Sequence, residues 1–165
     1  MRMPRRETDY LGRWIWLFPV TYVIHLGEEV WGGEGYAAWI TRLTGSSFPR
    51  TTLLLLNGLI LVGMILVLAA AQRRAALHWA VIAMGTAVLG NSVLHLVMSL
   101  VTRTYSPGLI TGTLMWLPLG LCAIRRGATR AGRFDLRLGI AIGLAATALI
   151  SLVALDPRLL PVFLR

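Results

Sequence analysis

Lysine is absent from this chain and acidic residues are scarce: seven Asp and Glu stand against sixteen basic residues, all arginine. Only 14% of the 165 residues are charged, 56% are hydrophobic, and the mean hydropathy is +0.70, which excludes an ordinary soluble domain. Cysteine is nearly missing as well. The lone Cys122 excludes an internal disulfide framework and a thiolate metal cluster, and its place in an apolar run predicts a packing role. No repeat, low-complexity tract or polar linker interrupts the chain, so residues 1–165 read as a single transmembrane domain. A net charge of +9 and a pI near 11.4 would point a soluble protein toward nucleic acid. Here the arginines lie mostly between apolar runs, so membrane topology accounts for them and no nucleic-acid partner is expected.

What the chain has in abundance is apolar length. Five segments, approximately 14–31, 53–71, 77–101, 109–124 and 136–155, are long enough, or nearly so, to cross a bilayer. The fourth gives only about 24 Å of helix and needs extension or a thinned bilayer. The fold class expected is an all-α membrane protein, a bundle of five transmembrane helices. Basic residues before the first run resemble a signal peptide, but no small-x-small cleavage site follows, so the run reads as an uncleaved first span. Eleven arginines (2, 5, 6, 13, 73, 74, 125, 126, 130, 133 and 137) fall on one side of that topology and five (42, 50, 103, 158 and 165) on the other. The asymmetry predicts a multi-pass cell-membrane protein with its N-terminus cytoplasmic and its C-terminus outside.

Smaller features fit this frame. Trp14, Trp16 and Trp79 fall near the expected inner boundary and Trp31 and Trp39 near the outer one, whereas Trp116 is mid-span. Residues 35–43 form a short amphipathic piece suited to the outer interface, as a connector or a lid. Pro19 withholds the usual donor from the Ile15 carbonyl and predicts a kink. Gly139 and Gly143 form a small-xxx-small pattern for close helix packing, within the chain or in a homodimer. His78, beside Trp79, is expected at the inner interface.

The charges inside the apolar runs are the exception. His25, Glu28 and Glu29 lie within five residues. At 100° per residue Glu29 sits about 40° from His25 around a helix and Glu28 about 60° away on the other side. An acid at the centre of a span costs roughly 2.5–3.5 kcal/mol on insertion scales, so such residues default to a functional reading. The topology places Asn91, Ser92, His95 and Ser99 of segment three at the same outer depth. Thr51, Thr52 and Asn57 of segment two, and Thr111 and Thr113 of segment four, share that layer, which predicts one polar cavity.

His25-x-x-Glu28-Glu29, the later span histidine His95, and Tyr105-Ser106-Pro107-Gly108 occur in the order that marks a known family. In these residues the chain resembles the HXXEE family of small integral membrane proteins over about residues 10–155. The resemblance implies site positions and no activity, the family's function being unknown. Pro107-Gly108 suits a tight turn that returns the Tyr105 hydroxyl over the cavity.

These residues admit four chemistries. The first is acid/base work, isomerase- or cyclase-like, on a lipophilic small molecule. It would use His25, Glu28, Glu29, His95, Asn91 and Tyr105, with Trp116, Thr113 and Asn57 holding the substrate. Adjacent carboxylates in a low dielectric cannot both ionise cheaply, so this reading keeps one protonated. The second is a divalent metal site, Zn or Fe, ligated by His25, Glu28 and/or Glu29, and His95. The third is a proton-coupled transporter, disfavoured by aliphatic inner halves that offer no polar path. The fourth is a non-catalytic scaffold or lipid-binding protein in the bilayer.

Overall fold

The computed structural model describes residues 11–156, and every regular element among them is helical. The arginines at positions 2, 5, 6, 158 and 165 that entered the topology argument lie outside the described residues. A 3-10 turn, Arg13–Trp16, leads into α1 (Leu17–Trp31), followed by α2 (Tyr36–Thr44) and α3 (Arg50–Ala71). A second 3-10 turn, Ala75–Leu77, opens α4 (His78–Thr102). The next helical stretch has three parts: the single turn α5 (Leu109–Thr111), a wide π turn over Gly112–Trp116, and α6 (Leu117–Arg130). The last element is α7 (Arg133–Leu155).

All five expected apolar segments therefore fall in helices, but they differ in reach. Three stretches, Arg50–Ala71, Ala75–Thr102 and Arg133–Leu155, are long and apolar enough to cross a membrane. α1 and α6 have 15 and 14 residues and gain length only from the helical turns before them. The outward side chains are apolar: Leu55, Leu59 and Leu66 of α3, Leu114, and Leu144 and Leu152 of α7 are all exposed. A continuous apolar exterior of this kind is unfavourable in water and suits hydrocarbon. The fold is consistent with membrane association.

Several local expectations change. Pro19 does not kink a running helix. The chain is still in the 3-10 turn at Trp16, so Pro19 falls in the first turn of α1, where a backbone N–H has no helical acceptor to lose. The amphipathic piece is α2, and its apolar face is buried against the bundle. Trp39 and Ile40 pack with Phe48, Leu53 and Ala154, and the Trp39 indole N–H donates to Thr104 Oγ1 at 3.2 Å. Trp39 is thereby withdrawn from the outer aromatic belt, while Trp31 stays exposed. His78 is buried at the start of α4. The π turn immediately precedes Pro118, whose missing N–H leaves the Leu114 carbonyl without an α-helical donor.

α4 is the most buried of the three long helices and packs mainly on α6 and α7. Gly139 and Gly143 are spent on that packing within the chain. A Cβ on Gly143 would lie 2.5 Å from the Ala83 carbonyl oxygen, and one on Gly139 would lie 2.6 Å from that of Trp79. Gly143→Val should therefore push α7 off α4, at a cost of about 1–3 kcal/mol. A lowered melting temperature with unchanged oligomeric state in detergent is the expected result. A change in oligomeric state at constant melting temperature would contradict this placement.

Candidate active site

The polar centre is built where the C-terminal ends of α1 and α4 meet the connector between α4 and α6. His25 and Glu29, four residues apart, project from the same face of α1, and His95 faces them from α4. Glu29 Oε1 lies 3.5 Å from His25 Nε2 and 3.5 Å from His95 Nε2, and all three residues are buried. The two imidazoles meet edge to face with centroids 5.1 Å apart.

Each imidazole is held from behind by a hydroxyl. His95 Nδ1 is 2.9 Å from Ser106 Oγ, and His25 Nδ1 is 2.8 Å from Thr111 Oγ1. Thr111 donates its one hydroxyl proton to Glu28 Oε2 at 2.5 Å, so toward His25 it can only accept. His25 Nδ1 therefore carries a proton, and its Nε2 is the nitrogen presented to Glu29. Asn91 Nδ2 lies 3.3 Å from that same Nε2. Trp116 stacks on the His25 ring at 3.7 Å between centroids, a position reached through the π turn.

The structure separates the two acids. Glu28 turns to the opening of α5, where it accepts from the Ile110 and Thr111 backbone N–H groups at 2.9 and 2.7 Å and from the Tyr105 hydroxyl. Those amides belong to a helix start and have no helical acceptor, so Glu28 both satisfies them and sits at the favourable end of the dipole. The two carboxylates do not share one site: Glu28 is taken up by the opening of α5, and Glu29 lies between the two imidazoles. Burial, followed by the bond to Glu28, holds the Tyr105 hydroxyl above the usual phenol range.

The other expected residues divide. Asn57 lies away from the histidines, accepting from the Tyr22 hydroxyl and donating to the Leu53 carbonyl at 2.9 Å. Together with Glu29, Asn91 and Trp116 it lines a cavity of about 570 Å³. Thr113 does not reach this space; it is exposed on the outer face of the π turn. Ser92 and Ser99 tie α4 to the connector, donating to the Gly112 and Thr104 carbonyls at 2.6 Å each.

The sequence did not single out Ser106, Gly108, Tyr22 or Tyr36 as site components, and it placed Thr111 in the polar layer without a role at the histidines. The signal for the first two lay in the Tyr-Ser-Pro-Gly run, read there only as a turn. Gly108 has φ of +102°, and a Cβ there would lie 2.7 Å from His95 Cε1 and 2.8 Å from His25 Cε1. Both the backbone and the two rings thus require glycine. Gly108→Ala should cost about 1–3 kcal/mol and splay the imidazoles. A thermal melt that matches the wild type would show that the rings are not held as described.

A family model described as "Protein of unknown function with HXXEE motif" matches residues 16–123. No curated protein and no solved structure matches the chain. The match covers most of the chain and contains both His25-x-x-Glu28-Glu29 and the Tyr105–Gly108 segment that closes on it. The chain belongs to the HXXEE family.

Proposed function

We propose that the protein is a membrane-embedded, metal-dependent enzyme whose centre is His25, Glu29 and His95 and whose substrate is a lipophilic small molecule. The observation that carries the reading is the convergence of two imidazole Nε2 atoms on one carboxylate oxygen, at 3.5 Å each. Ligands bonded at about 2.0–2.1 Å to a tetrahedral zinc are separated by roughly 3.3–3.4 Å, so one cation fits among these atoms with little movement. The hydroxyls behind both Nδ1 atoms supply the support that metal-bound histidines commonly have.

In this reading the HXXEE spacing divides the labour. His25 and Glu29 ligate from one face of α1, and Glu28 acts through Thr111 to fix the His25 ring. A bound zinc or iron would supply Lewis acidity and a bound water of lowered pKa. The protein's groups would orient the substrate: Asn91 at the cavity mouth of the site, Trp116 as the wall against His25, and Tyr105 with Glu28 closing the far side. The aromatic face of Trp116 on His25 also suits the metal-free alternative, in which Glu29 and the imidazoles move a proton on an unsaturated substrate.

Elemental analysis of the purified protein decides between them. About one zinc or iron per chain is expected, lost in His25→Ala, His95→Ala and Glu29→Ala. Glu28→Gln should retain the site with affinity weakened by about 10–100-fold. Wild-type protein free of stoichiometric metal after purification without chelators would overturn the metal reading and leave the acid/base one.

The same proposal uses a five-span, multi-pass arrangement in the cell membrane, N-terminus cytoplasmic, with the site near the outer leaflet. Exposed Ser47 and Arg130 should then lie on opposite sides. In a Cys122→Ser background, Ser47→Cys is expected to react with an impermeant thiol reagent on intact cells. Arg130→Cys should react only after permeabilisation. Labelling of both from one side would overturn the five-span arrangement, and the opposite pattern would reverse its orientation.

A further inference from the structure

Resting on the reading of the His25–Glu29–His95 centre as the reactive one, we infer that the substrate is a neutral, single-chain amphiphile. It enters sideways between α3 and α7, with its oxygenated head at Glu29 and Asn91 and its tail along α3. The cavity that reaches the site is a slot rather than a chamber. It follows α3 from Leu53 to Val67, fourteen residues or about 21 Å of helix, with a volume of about 570 Å³. That shape suits one extended hydrocarbon chain better than a fused-ring or two-chain lipid.

The lining is polarised along its length. Glu29, Tyr36 and Asn91 line the end at the site, Tyr22 and Asn57 bond to each other, and most of the remaining lining is aliphatic. The Trp116 indole N–H, beside His25, is buried without a hydrogen-bond partner, leaving a donor unused at that end. Among the described residues no arginine lines the slot, so a phosphate head would find no cation there. An alcohol, aldehyde or ester head matches the amide, phenol and carboxylate that are present.

The route in is also visible. Ile60 of α3 and Leu149 and Ile150 of α7 line the slot and yet remain 38, 41 and 46% exposed on the outside of the bundle. They are the rim of a lateral opening. α3 and α7 make few direct contacts, and the surface around the opening carries the exposed leucines described above. A lipophilic molecule in the bilayer would reach the slot without crossing water.

The test uses the full chain in nanodiscs and a long-chain fatty alcohol bearing a diazirine near its methyl end. Photolabelling followed by mass spectrometry is expected to mark the far end of the slot on α3, at Met64 and Val67. Unlabelled fatty alcohol should compete, and an alkyl phosphate of equal length should not. Ala146→Trp, which fills the slot from α7, should reduce labelling about tenfold and leave metal content unchanged. Labelling spread over the outer face of α3 at Leu55 and Leu59, or undiminished by Ala146→Trp, would overturn the slot. Equal competition by the alkyl phosphate would overturn the neutral head. Because the wild-type map needs no variant, a misfolded Ala146→Trp leaves the test intact. Slot labelling in a metal-free wild type would sink the metal centre and keep the slot; bound metal with no slot labelling would do the reverse.

Discussion

The Glu28 carboxylate, reaching from α1 to the bare amides that open the helix after Gly108, is the contact on which the polar centre depends. It accepts from two backbone N–H groups and two hydroxyls, which join α1 to a connector far away in sequence. Through Thr111 the same carboxylate sets the protonated nitrogen of His25. At this half-buried position the carboxylate and the free amides of the helix start satisfy one another. The His25 ring is consequently held by its neighbours before any ligand arrives.

This contact explains why the motif has its particular spacing. Residues four apart stack on one helical face, which sets Glu29 beside His25; a residue three along is rotated toward a neighbouring element, which sets Glu28 against α5. Two identical side chains in sequence thus acquire different work. The Tyr105–Gly108 segment is the complement. Tyr105 reaches Glu28, Ser106 reaches His95, and Gly108 lies flat against both imidazole rings where any side chain would intrude.

Around this centre the rest of the chain is arranged by hydrocarbon rather than by charge. α4 runs through the middle because its small residues let α6 and α7 approach closely, while α3 stands apart from α7 and leaves the slot between them. α2 packs against the same end of the bundle, its Trp39 anchored to Thr104 of the connector. The polar groups are therefore enclosed at one end of a bundle whose flanks are largely apolar and whose other end carries exposed arginines such as Arg73, Arg74, Arg125 and Arg130.

Much of this was written in the order of the residues. Hydropathy alone marks the helices, because a run without charge has few stable alternatives in a bilayer. The periodicity of α1 puts His25 and Glu29 on one face, and that of α4 puts Asn91 and His95 on one face. Sequence could not decide which of Glu28 and Glu29 would face the histidines, since 40° and 60° of rotation differ too little to choose. Nor could it show that Thr113 would point outward while Thr111 became central: Pro118 and the π turn shift the helical register between α5 and α6. Trp39 and Pro19 were misplaced for related reasons, one drawn inward by tertiary packing and the other moved to a helix start by a preceding 3-10 turn. Composition and spacing determined that there would be helices with a buried acid–imidazole cluster. Only the folded contacts among distant segments decided which atoms face one another, because a hydrogen bond is specific over tenths of an ångström and hydropathy over whole turns of helix.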